Sequence, residues 1–133
     1  MKYFTKEYIE LCRDERIQKL KKVFKAGDIV QYKTFLPECY GGSLSKNIMV
    51  MDRREDLTWL PTGDQLDEEI VKICKRNKYD YYSIFIQKEG YKDYVAFIRD
   101  NIGNQLHKLY MNYNNPLIAK IKLLLELLEK EKE

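Results

Sequence analysis

Apolar residues recur at helical spacing in three stretches of the chain, and between those stretches they alternate or cluster at strand spacing. Ile17, Leu20 and Phe24 fall on one face of a helix predicted over residues 5–24. Arg13-Asp14 offers a point of restart with Asp14 as an N-cap, so one helix or two pieces fit the pattern. Ala26-Gly27-Asp28 stops it, and residues 29–35 have the β-branched and aromatic content of a strand. Residues 36–47 hold Pro37 and the pair Gly41-Gly42 without periodicity, which predicts a loop with an exposed tip. The apolar run 48–51, the charged turn 52–56 and the run 57–60 read as an antiparallel hairpin.

Thr62 followed three residues later by Gln65 forms a capping box, and Asp64, Asp67, Glu68 and Glu69 suit the positive end of the helix it opens. Leu66, Ile70, Ile73 and Cys74 supply that helix's buried stripe, with Lys72, Lys75, Arg76 and Lys78 toward its negative end. Residues 79–88 and 91–99 read as two strands around Glu89-Gly90, and a two-residue turn sets Lys88 against Tyr91, Phe85 against Tyr94, Ile84 against Val95 and Tyr82 against Phe97. Tyr82, Ile84, Ile86, Val95 and Phe97 then share one sheet face, and Tyr81, Phe85, Tyr94, Ala96 and Ile98 share the other. Both faces are apolar, so helices cover both or one awaits a partner. Residues 106–111 are predicted to add a third strand. Asn115-Pro116 starts a last helix with Leu117, Ile118, Ile121, Leu124, Leu125 and Leu128 on its apolar face and a fraying end from Glu129. The expected fold is α+β: a mainly antiparallel sheet of hairpins and a meander packed against three helices, in one domain over residues 1–133.

Composition narrows the function classes. The chain has 133 residues, of which 44% are hydrophobic and 34% charged, as in a globular domain. The first residues are charged from Lys2 onward, unlike a secretory signal, and the most apolar segment, 116–128, is interrupted by Lys120, Lys122 and Glu126. A cytoplasmic location without membrane attachment is expected, and the odd count of three cysteines suits reduced thiols there.

Three segments carry a resemblance. Tyr3 to Gln18 (with Thr5-Lys6-Glu7-Tyr8-Ile9 and Cys12), Trp59-Leu60-Pro61-Thr62-Gly63-Asp64-Gln65-Leu66-Asp67-Glu68-Glu69-Ile70, and Asn115-Pro116-Leu117-Ile118-Ala119-Lys120-Ile121-Lys122-Leu123-Leu124 resemble small phage and prophage proteins of Gram-positive bacteria. The resemblance implies a phage setting and transfers no catalytic residue. It leaves the loop at 36–47 and the Tyr-rich strands uncovered.

Candidate chemistry is sparse. Cys12, Cys39, Cys74 and His107 are the residue types of a zinc site, but they lack the short C-x₂₋₄-C knuckle that structural zinc uses, so no metal or cofactor is expected. Cys74 fits the helix stripe as a small apolar residue. His107 is the one histidine, and no nucleophile elbow, phosphate loop or metalloprotease helix occurs. Asp64 and Glu68 share a helix face, yet the dipole alone favours acids in a first turn, and a non-enzymatic protein is expected. The net charge is +3, with nine Lys or Arg and five acids within residues 1–36. Arg13, Arg16, Lys19, Lys22 and Lys25 recur every three residues and spiral around a helix instead of forming a stripe. The pI of 8.6 falls just below that of a typical nucleic-acid module, about 9 or more.

Tyrosine stands out: eleven are present, and seven lie between residues 79 and 113. Strand propensity explains any one of them, whereas the cluster suits recognition by large, stiff, polar-tipped rings. The expected binding surface combines Tyr40, Gly41 and Gly42 with Tyr81, Phe85 and Tyr94. If one hairpin face stays open, Phe85, Tyr94 and Ile98 form an apolar patch that a protein partner or a second copy must cover; if both are covered, the loop alone is available. A phage or prophage accessory protein that binds a host or phage protein is the leading expectation. Nucleic-acid binding through the basic first helix and the Tyr-rich sheet is the alternative.

Overall fold

Thr5 caps the first helix, its hydroxyl accepting the backbone N–H of Tyr8 at 3.3 Å, and this computed structural model carries that helix, α1, over Lys6–Cys12. The structure describes residues 3–21, 23–32, 37–39, 57–88, 91–100 and 110–132. Asp14 restarts the helix by accepting the N–H of Arg16 at 2.9 Å, giving α2 over Glu15–Gln18. The first helix is thus two pieces. Its expected extension to Phe24 is corrected, because after Gln18 the chain closes with i to i−3 bonds, Leu20 N–H to Ile17 and Lys21 N–H to Gln18, and leaves the helix.

The chain divides into two compact units, Met1–Thr62 and Gly63–Glu133, and no composition break marks the boundary. In the first unit a three-stranded antiparallel sheet has the order β2-β1-β3, with β1 at Ile29–Tyr32, β2 at Glu38–Cys39 and β3 at Leu57–Trp59. One expectation changes here. Glu38-Cys39, expected as loop, pairs with Ile29 and Val30, and β3 pairs with β1 in the register Val30 to Trp59. The other arm of the expected hairpin, 48–51, lies outside the described residues. The core of this unit gathers Tyr8, Cys12, Ile17, Val30 and Leu60, all fully buried.

Gly27 turns the chain into β1 with φ of 96°, and nothing lies within 4 Å of a Cβ placed there. Gly27→Ala therefore acts through backbone strain alone and is expected to lower stability by about 1 kcal/mol. Lys78 holds φ of 59° between the next helix and strand, where a side chain is disfavoured. Lys78→Gly is expected to raise stability by up to about 1 kcal/mol, and opposite signs in urea melts check the pair.

The second unit begins with α3 at Gly63–Asn77, which places Thr62 directly before its first residue. Leu66, Ile70, Ile73 and Cys74 form its buried stripe, as the periodicity predicts. Strands β4 (Tyr79–Lys88), β5 (Tyr91–Asp100) and β6 (Tyr110–Tyr113) form an antiparallel sheet in that order. The β4–β5 register sets Lys88 against Tyr91, Phe85 against Tyr94, Ile84 against Val95 and Tyr82 against Phe97, in agreement with the sequence. The third strand runs to Tyr113, two residues past the expected end, and residues 106–109 lie outside the described set.

Asn115 caps α4, Pro116–Lys132, by accepting the N–H of Leu117 at 2.9 Å. α4 packs on β5, β6 and α3, while α3 also packs on β4. Because α4 meets neighbours on more than one side, Leu123 and Leu127 are buried beside Leu117, Ile118, Ile121 and Leu124, whereas Leu125 and Leu128 are half-buried. Its expected fraying from Glu129 is corrected: the helix reaches Lys132, and Arg76 donates to Glu131 at 2.8 and 3.2 Å. The fold is α+β with antiparallel strands, in two sheets and not one, and with four helical segments among the described residues. No described helix is long and apolar enough to cross a membrane.

Candidate functional site

Tyr81 leaves β4 half-buried, and its hydroxyl donates to Asp67 Oδ1 on α3 at 2.7 Å. The other oxygen of Asp67 accepts Lys120 Nζ from α4 at 3.0 Å. One carboxylate thus ties a strand to both helices of its unit, with every polar tip in the cluster engaged. Ala96 and Ile98, on the same sheet face as Tyr81, are fully buried, so Ile98 contributes to no exposed patch. That face is the one α3 covers. Tyr94 is half-buried, Phe85 is placed opposite it by register, and Val95 on the other face is buried. Buried side chains therefore occur on both hairpin faces at the described positions. Tyr40, Gly41 and Gly42 lie outside the described residues.

Tyr8, Cys12 and Cys74 are held in their neutral forms. Tyr8 and Cys12, one helical turn apart, are both fully buried, and the Tyr8 hydroxyl donates to the Pro61 carbonyl at 2.5 Å. Burial pushes the Tyr8 phenol far above its ordinary range, and the neighbouring Cys12 adds to the rise. Burial likewise pushes the Cys12 thiol up to about 12, against a lowering hydrogen bond with Tyr8. Cys74 is pushed up to about 11 by burial and by the charge of Asp80. A thiolate is the reactive form, so these thiols are inert near neutral pH.

The same shifts set an alkaline limit to stability. Unfolded thiols release their protons from about pH 9, while the folded ones keep theirs, so the unfolded state binds fewer protons. Stability is complete below that pH and is expected to fall above it by about 1.4 kcal/mol per pH unit for each group. Urea midpoints at about pH 7, 9 and 10.5 check this, and a flat profile contradicts it.

Four described basic residues of the first unit meet acids of the same unit. Arg13 Nη1 lies 2.6 Å from Glu10, Arg16 Nη2 lies 3.0 Å from Asp14, Lys19 Nζ lies 3.1 Å from Glu15, and Lys21 Nζ lies 2.9 Å from Asp28. Lys21 also sits over the Trp59 ring, 5.5 Å from its centroid. Lys22 falls outside the described residues. Asp64 and Glu68 are exposed at the start of α3, the position the helix dipole favours. Among the described residues no three His, Cys, Asp or Glu side chains form a metal-binding group, and His107 lies outside them.

Two features were not read from the sequence. Gln18 bonds with both backbone groups of Trp59, a contact across 41 residues that no local pattern encodes. The C-terminal ends of α3 and α4 frame a groove of about 180 Å³ lined by Ile73, Asn77, Tyr79, Leu127, Lys130 and Glu131. Arg76 and Asn77 both donate to Glu131 there, and the Arg76 bond foremost holds its carboxyl below the usual range. No family model, curated protein or solved structure matches the chain.

Proposed function

We propose that the protein is a non-enzymatic accessory protein of phage or prophage origin that acts in the bacterial cytoplasm by binding a host or phage protein. The phage setting rests on the resemblance of the three sequence segments. The non-enzymatic part is supported by the neutral thiols of Cys12 and Cys74, by the engaged Tyr81, Asp67 and Lys120 cluster, and by the dipole-favoured placement of Asp64 and Glu68. The observation that carries protein over nucleic acid is the pairing of Arg13, Arg16, Lys19 and Lys21 with acids of their own unit. A cation already facing a carboxylate releases fewer counterions when it meets a phosphate, so the sequence's basic excess yields little affinity for a polyanion. The contact surface in this reading includes Tyr40, Gly41 and Gly42, with Tyr94 and Phe85 toward the turn end of the hairpin.

Fluorescence anisotropy with labelled oligonucleotides tests the choice. Only weak binding is expected, lost between about 50 and 200 mM salt. A sub-micromolar complex with a defined oligonucleotide, weakened by neutralising Arg13, Arg16 and Lys19, would reverse it.

A further inference from the structure

Among the described strands, β4 is the long outer strand of the second sheet. β4 stands at one end of the order β4-β5-β6 and has ten residues, against four in β6 at the other end. An edge strand offers a row of backbone donors and acceptors, and soluble proteins blunt such edges with charge, proline, bulges or brevity. Between Asp80 and Lys88 this strand reads Tyr-Tyr-Ser-Ile-Phe-Ile-Gln, without charge, proline or glycine. Its β5 ladder is continuous at every position from 79 to 88, so no bulge twists it away. A segment of this length and composition pairs readily with another strand.

We propose that β4 pairs antiparallel with β4 of a second copy of the chain, about a two-fold axis at Ile84, to make one continuous six-stranded sheet. The argument for a second copy is charge. Asp80 and Lys88 are the strand's two charged residues, and they lie at equal distances on either side of Ile84. The two-fold register therefore opposes acid to base at both ends, and it pairs 81 with 87, 82 with 86 and 83 with 85 between them. Every pair has matching parity. That condition lets the outward N–H and C=O groups of the two strands meet each other, and it keeps the α3-covered face on one side of the joined sheet. Asp80 is exposed, and in its own sheet it lies opposite Arg99, so the acid sits between two bases across three strands. This association goes beyond the proposed function and stands whether or not a host or phage protein binds.

Sedimentation equilibrium of the full chain tests it, with the wild type expected to show a reversible monomer–dimer equilibrium. Asp80→Lys sets like charges opposite each other at both ends, as does Lys88→Asp, and each is expected to weaken self-association about tenfold. An equimolar mixture of the two variants again opposes acid to base at both ends, so it is expected to dimerise about as tightly as the wild type. Whatever Asp80→Lys costs its own sheet is equally present in the mixture, which isolates the intermolecular term. Hydrogen exchange of the wild type supplies a readout that needs no variant: alternate amides of β4 are expected to gain protection as concentration rises. A wild type that stays monomeric, a mixture no tighter than its components, or amides indifferent to concentration would overturn the proposal.

Discussion

Leu66→Ala is expected to destabilise the protein by about 2–5 kcal/mol, because it removes a large side chain from a site with no exposure and leaves a cavity that packed neighbours fill only in part. Leu66 begins the stripe that continues through Ile70, Ile73 and Cys74 on the face of α3 that packs against α4 and β4. Ile70→Ala should behave alike. Lys72 lies on the same helix with its side chain 63% exposed and its ammonium 3.1 Å from Glu69, an exposed pair worth about 1 kcal/mol or less. Lys72→Ala should therefore leave the urea midpoint nearly unchanged. Equal effects at the three positions would show that the stripe does not carry the packing of this unit.

Gln18→Leu is the second large effect, and it works through hydrogen bonds. The Gln18 amide donates to the carbonyls of Cys12 at 2.6 Å and Trp59 at 2.9 Å, and its oxygen accepts the Trp59 N–H at 2.8 Å. In effect a side chain from α2 takes the place of a neighbouring strand beside β3. Leucine keeps the volume but leaves three part-buried backbone groups without that partner, each costing about 1–3 kcal/mol where water does not replace it. A total loss of about 2–4 kcal/mol is expected, since partial exposure lets water recover some of it. Gln18→Ala should cost a similar amount, whereas Lys19→Ala next to it, in a fully solvated ion pair, should be close to silent.

Where structure is set by neighbours in sequence, the chain could be read directly. Asp14 and Asn115 act as caps because a short acceptor side chain reaches the next free N–H whatever lies around it. The β4–β5 register follows from a two-residue connection and the strict period of two along both strands. The failures are equally physical. β2 has two residues, too few to show a period, and β3 pairs with a strand more than two dozen residues earlier, a partner that no local pattern names. The Thr62–Gly63 boundary between units falls at the first residue of α3, where there is no linker composition to see. Tyr81, Phe85 and Tyr94 hold their expected strand positions, but that Tyr81 is committed to Asp67 depends on a helix residue 14 positions away. Among the basic residues, Arg13 with Glu10 and Lys19 with Glu15 follow from helical spacing, whereas Arg16 meets Asp14 because Asp14 starts a new helix and Lys21 meets Asp28 only once the chain has left that helix.

Affinity capture of the tagged full-length chain from lysogenic or phage-infected Gram-positive cells, with and without nuclease, tests the central claim most directly. The account predicts that one host or phage protein is retained in near-stoichiometric amount, that nuclease leaves it in place, and that washing at about 200 mM salt does not release it. Recovery of nucleic acid instead, with any accompanying protein lost on nuclease treatment, would contradict the account.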